Sequence, residues 1–234
     1  MAKAQRLRVT FSRDEGVKYI THLDLMRLWE RALRRAGVDL SYSEGYKPRP
    51  RLSLGAPLAV GVTSSGELMD VYLSSRMRPL DFIREVSEQL PEGVSVRETH
   101  EVGVALPSLQ SEVRWAEYRV DLDAGVSAQD ASSAVETFLA AESMPWEHAR
   151  DKEVRRYDIR ALVQDIWLEE GPQEATGPRL GMRLRADSGG SGRPEQVTAA
   201  LGLGEPLAIH RTKLILADTS PTHRAWRRRG TYEI

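Results

Sequence analysis

Two successive halves of this chain carry the same order of hydrophobic periods: alternation, helical stripe, broken extended stretch, helical stripe, alternation. Period constrains folding strongly, because two-residue alternation buries one face of a strand and 3–4 spacing buries one stripe of a helix. In the first half, Arg6–Phe11 (RLRVTF) alternates and predicts a strand. Thr21 then opens a helix through Arg35: Thr21-His22-Leu23-Asp24 has capping-box spacing with Asp in place of Glu, and Gly37 supplies the stop. Leu25, Met26, Trp29, Ala32, Leu33 and Ala36 form its buried stripe. Asp39–Tyr42, Arg51–Leu54 and Leu68–Leu73 read as extended, separated by the Pro- and Gly-rich stretches Gly45–Pro50 and Gly55–Gly66. Pro79–Leu90 predicts a second amphipathic helix, and Val94–Glu98 closes the half.

The second half predicts a strand at Trp115–Leu122, a helix at Ala128–Ala141, extended segments at Glu153–Ile159, Asp165–Glu169 and Arg179–Ala186, a short helix at Arg193–Leu201 and a last strand at Leu207–Leu216. No residue-level repeat accompanies this repeated order. The expected fold class is α+β, two tandem ferredoxin-like (βαββαβ) units with antiparallel sheets. The expected division is 1–108, 113–217 and a basic tail at 218–234, with a linker over Glu101–Val113. Such units leave one sheet face uncovered, and RNA-binding modules often use that face, although the fold hosts many other functions.

Composition narrows the chemistry. At 41% hydrophobic and 29% charged, the 234 residues can build a core and stay soluble. No apolar run approaches the ~18 residues of a membrane span, and the first residues lack a secretory apolar stretch, so a cytoplasmic protein is expected. The absence of cysteine removes disulfides, thiolate catalysis, iron–sulfur clusters and all-cysteine zinc sites. The five histidines show no HxH or HxxxH pair. Neither a metal nor a cofactor is expected.

Charge is uneven along the chain. Residues 1–60 hold twelve Lys/Arg against six Asp/Glu, and residues 207–234 hold six against two. The overall net charge of −1 then leaves −11 for residues 61–206. Two basic ends around an acidic middle favour an anionic partner.

The basic end has internal order. Arg27, Arg31, Arg34 and Arg35 fall at i, i+4, i+7 and i+8, a row opposite the Trp29/Leu33 stripe that can neutralise several phosphates. Lys18 precedes this helix, and Tyr42, Tyr46, Lys47, Arg49 and Arg51 follow it among Gly45, Pro48 and Pro50. A proline-stiffened basic loop with two aromatics can grip a nucleic-acid backbone and stack on an exposed base. The plainer alternative is a solvated helix face followed by an ordinary hairpin loop. His22, in the first turn beside cations, is the one residue placed to serve as a general base, with Tyr46 as a proton donor. Its structural alternative is a capping or packing role. Ser188–Gly192 (SGGSG) lacks the P-loop lysine and reads as a turn, whereas Trp226 among the arginines of 223–230 could dock on RNA or an acidic partner, or equally belong to a disordered solubilising end.

The segments Tyr19–Arg27 (YITHLDLMR), Arg31–Ala36 (RALRRA) and Tyr42–Pro50 (YSEGYKPRP), with Pro57-Leu58, Gly61-Val62, Ser65 and Glu67, resemble the radical-SAM-linked DUF2344 family. In the second half Asp158-Ile159-Arg160 is the best match. The resemblance implies a stand-alone partner of a radical SAM protein in trans and an association with RNA metabolism or ribosome maturation. It carries no catalytic residue over, and without cysteine this chain cannot itself perform radical SAM chemistry. A looser likeness, in element order and a first-helix histidine, is to tandem ferredoxin-like CRISPR RNA-processing endoribonucleases. The function expected is a non-catalytic accessory protein binding tRNA or rRNA; the alternatives are a metal-independent endoribonuclease using His22 and a protein–protein adaptor.

Overall fold

Strand β1 (Gln5–Arg13) carries the alternation that its sequence predicts, but both of its faces are buried. Leu7, Val9 and Phe11 enter the apolar core, whereas Arg6 and Arg8 are buried among polar groups. The computed structural model describes residues 3–150, 153–169 and 177–217. The basic tail, with Trp226 and its arginines, lies outside the described residues. The protein is α+β: five helices and eleven strands are described, nine of the strands in one large sheet. The chain divides into two compact units, Arg114–Thr212 and the remainder.

In the first unit β1 is followed by a one-turn 3-10 helix at Glu15–Val17 and by α1 (His22–Arg35). Thr21 is the N-cap, its hydroxyl oxygen accepting from the Asp24 amide at 3.2 Å. Gly37, at φ +66°, ends the helix, with its own amide on the Arg34 carbonyl and the Val38 amide on the Leu33 carbonyl. This Schellman closure needs a left-handed residue, which explains glycine at that position. β2 (Leu52–Leu54), β3 (Thr63–Leu73), α2 (Pro79–Ser87) and β4 (Val94–Val102) complete the unit's order. The strand order is β4-β1-β3 with β2 on the far side of β3, every pairing antiparallel. Trp29 of α1 meets Phe11 edge-on at 5.0 Å, and Phe82 and Val86 of α2 join the same core. Full burial of such side chains is worth about 1.5–3 kcal/mol each.

Two expectations change here. Asp39–Tyr42 is extended but forms no full strand: Leu40 bridges to Leu73 and Tyr42 to Pro50, and the Ser41 amide donates to the Tyr72 carbonyl at 2.8 Å. The second helix stops at Ser87 rather than Leu90, which still packs on the core. After β4 lies a short helix, α3 (Leu109–Glu112), in which Leu109 is fully buried.

The second unit runs β5 (Val113–Asp121), α4 (Ala128–Ala140), β6 (Pro145–Arg150), β7 (Glu153–Asp158), β8 (Val163–Leu168), β9 (Arg179–Asp187), β10 (Gly190–Ser191) and α5 (Pro194–Ala200). β5 and β8 flank β9 antiparallel, β10 pairs with the end of β9, and β6–β7 is a separate hairpin. A side chain at Gly181 of β9 would stand 2.1 Å from the Trp167 indole, so the strand stays open there for that ring. β6 was not expected, since Pro145 and the mixed sequence WEHA show no alternation. β11 (Ala208–Leu216) is the last described strand and stands next to β5 in the strand order.

Candidate nucleic-acid interface

Helix α1 buries Leu25, Trp29, Ala32 and Leu33, and that stripe turns Arg27, Arg31, Arg34 and Arg35 outward, all four exposed. They differ in electrostatic standing. Arg27 sits 3.3 Å from Asp24, whose carboxylate also accepts the Thr21 hydroxyl at 2.7 Å. The Thr21 hydrogen bond first, and the Arg27 charge after it, hold the Asp24 carboxyl below its usual range against some desolvation. Arg31, Arg34 and Arg35 have no ion pair among the described residues, and Glu30, half-buried, is the acidic residue nearest them in sequence. Arg34 and Arg35 also complement the C-terminal end of the helix dipole, a local reason for basic residues there.

The loop between α1 and β2 is closed by its own backbone. The Ser43 amide donates to the Arg49 carbonyl at 2.8 Å, and the Arg49 amide to the Ser43 hydroxyl at 3.0 Å. Arg51, half-buried, donates from Nε to the Tyr42 carbonyl at 3.1 Å, so its head serves the loop. Tyr42 is itself half-buried and packs on the core. At the tip Tyr46 is 98% exposed, with Lys47 and Arg49 exposed beside it. No hydrogen bond or ion pair among the described residues joins this tip to the α1 row.

Lys18 lies half-buried just before α1, its amine 2.6 Å from Glu15 and 5.2 Å from the centre of the Tyr19 ring. The hydrogen bond to Glu15 raises its pKa further, against some desolvation. His22 is exposed in the first turn, and no hydrogen bond among the described residues ties it to Tyr46 or to a second acid–base group. The catalytic alternative therefore has a histidine in the open and no assembled partner.

The largest charged constellation is one that the sequence did not single out. Asp70 of β3 accepts from Arg6 Nε at 2.9 Å and from Arg8 Nε at 2.8 Å. Arg8 also reaches Glu112 of α3 at 2.9 Å, and Arg6 donates to the Leu106 carbonyl at 3.0 Å. All four side chains are essentially inaccessible. Register explains the grouping, since Arg8 stands opposite Asp70 on one side and His100 on the other. Burial, and then the Arg8 charge, push the His100 pKa down to about 4, with Asp70 pulling the other way. This burial changes two sequence-based expectations. At Arg6 and Arg8 the non-helical sheet face is filled rather than open to RNA. Arg6, Arg8 and Arg13 are also buried, so the basic excess of residues 1–60 overstates the charge offered to a partner.

A family model described as "Uncharacterized protein conserved in bacteria (DUF2344)" matches residues 6–194. The chain belongs to this family. The match takes in both the N-terminal motifs and Asp158-Ile159-Arg160. No curated protein matches the DUF2344 chain. Among solved structures it is similar to a chain of "Crystal Structure of a Cbf5-Nop10-Gar1 Complex", at 11% identity and a TM-score of 0.47. That similarity covers 89% of this chain and 48% of the other, so the DUF2344 chain spans about half the length of that protein.

The second-half motif Asp158-Ile159-Arg160 turns out to be architectural. Asp158 accepts the amides of Met144 at 2.8 Å and Arg160 at 3.0 Å, and Ile159 is buried. The Arg160 guanidinium donates to the carbonyls of Val163 and Leu139, pinning the β7–β8 turn against the end of α4. Hydrogen-bonding demand at a tight turn accounts for this motif.

Proposed function

We propose that this DUF2344 chain is a non-catalytic RNA-binding accessory protein that works in trans with a radical SAM enzyme, in tRNA or rRNA modification or ribosome maturation. The observation that carries the reading is the run of exposed arginines without counter-ions among the described residues, Arg31, Arg34 and Arg35, on the outer face of a firmly capped helix. Guanidinium groups held in a row on a rigid element neutralise phosphates without the entropy cost of ordering a loop. Lys18, Arg27 and the loop residues Tyr42, Tyr46, Lys47, Arg49 and Arg51 are the further contacts of this reading, with Tyr46 offering a ring to a base. Each unit is read as ferredoxin-like: β4-β1-β3-β2 in the first and β11-β5-β9-β8 in the second follow one strand order. The family resemblance supplies the radical SAM partner. The test is crosslinking in cells followed by sequencing of the attached RNA, for the wild type and for R31Q/R34Q/R35Q. The reading expects tRNA or rRNA fragments on the wild type and strong depletion on the variant. Equal recovery from both would contradict it.

A further inference from the structure

We infer that Tyr19 is a base-stacking platform, which makes the ligand of this face RNA with an unpaired stretch rather than a duplex. The inference rests on the RNA-binding reading above. Tyr19 is 71% exposed, which for a large aromatic leaves an unusual area of ring open to water. Leu23, four residues on, is 66% exposed and Val60 58%. The Tyr19 ring comes within 3.9 Å of where a Cβ on Gly61 would stand, so Tyr19 lies against the segment that carries Val60.

The exposure is not that of a loose turn. The buried guanidinium of Arg13 donates to the carbonyls of Val17 and Ile20, each at 3.2 Å, and so grips the backbone on both sides of Tyr19. The Gly61 amide holds the Lys18 carbonyl at 2.9 Å, and the Ile20 amide holds that of Val17 at 3.3 Å. An aromatic ring on a braced backbone gives up little entropy on binding.

Charge selects the ligand among the partners an exposed ring can take. Lys18, paired with Glu15, is within cation–π distance of the ring, and the arginine row runs about 12 Å along α1 at 1.5 Å per residue, from Arg27, paired with Asp24, to Arg31, Arg34 and Arg35, which have no ion pair among the described residues. A flat hydrophobic ring beside a cationic track matches a strand whose bases are free to stack while its phosphates pair. In a duplex the bases are stacked on one another and offer the ring nothing.

The test measures binding of the full chain, at fixed salt, to a mixed-sequence single-stranded RNA and to a blunt duplex of the same length. The single strand should bind at least tenfold tighter. Tyr19→Ala should cost the single strand about tenfold, the order expected for one stacked base, and leave the duplex unchanged. Tyr19→Phe should bind as the wild type does, and a 2-aminopurine in the strand should lose fluorescence on binding the wild type but not Tyr19→Ala. If both RNAs bind equally and Tyr19→Ala matches the wild type while R31Q/R34Q/R35Q is weakened, the Tyr19 inference falls and the RNA-binding reading stands. If neither RNA binds, the reading beneath it fails. Loss of a nuclease-resistant protein partner in Tyr19→Ala, with RNA affinity intact, would make the ring a protein contact and overturn the inference.

Discussion

The arginines of β1 and those of α1 are the same side chain in the same unit, with opposite physical situations. Arg6 and Arg8 are buried, share one carboxylate in Asp70 and reach Glu112 and a backbone carbonyl besides. Arg31, Arg34 and Arg35 stand in water without a counter-ion among the described residues. Buried guanidinium groups are costly unless every charge is answered, and β1 answers them from β3 and α3. Exposed ones cost the fold almost nothing and remain available to a ligand. A count of basic residues treats both sets alike; burial separates them.

The comparison breaks most visibly at Asp70. Asp70→Asn leaves two buried guanidinium groups short of their shared anion and should destabilise the protein by about 3–5 kcal/mol. The urea midpoint of the full chain reads this directly, and a loss below ~1 kcal/mol would make the network incidental.

His100 sharpens the same side. Its native pKa of about 4 lies below the ordinary 6.5, so the unfolded chain takes up the proton first as pH falls. Above pH 6.5 the ring is neutral in both states, and between 6.5 and 4 the fold loses stability because it excludes the charged ring, about 3 kcal/mol in all at 1.36 kcal/mol per unit. Unfolding of the wild type and His100→Gln compared at pH 7, 6 and 5 should show the wild type losing stability relative to the variant as the pH drops. Parallel curves would mean that the site admits the charged ring.

On the exposed side the effects on stability shrink. Thr21→Ala removes the hydroxyl that caps α1 and should cost about 1 kcal/mol, read as a lower melting midpoint. R31Q/R34Q/R35Q should change stability by less than about 1 kcal/mol, since the row has no ion pair among the described residues and only Arg34 and Arg35 gain from the screened helix dipole. A large loss there would move these arginines into the structural class.

What was legible in the sequence was local. Thr21, the Leu25/Trp29/Leu33 stripe and Gly37 specify α1 within a few residues, and the helix lies where they put it. The ion network depends on Asp70, His100 and Glu112, brought to β1 by pairing and by α3, which no window along the chain contains. One signal was available: Asp70 stands in the apolar extended run LMDVYL, where a carboxylate implies a buried partner. Tyr19 belongs to neither period, and the sequence marks it only as part of the family-like segment Tyr19–Arg27. Its standing comes from Arg13 and Gly61, one before it and one some forty residues after.

The most direct test of the division between structural and ligand-facing arginines is the salt dependence of RNA affinity. Fluorescence anisotropy with a single-stranded RNA, across a salt series, gives the slope of log affinity against log salt for the wild type and R31Q/R34Q/R35Q. Each lost phosphate contact lowers that slope by about 0.7, so the variant should bind more weakly with a slope shallower by about 2. Equal affinity and equal slope in the two proteins would contradict the account.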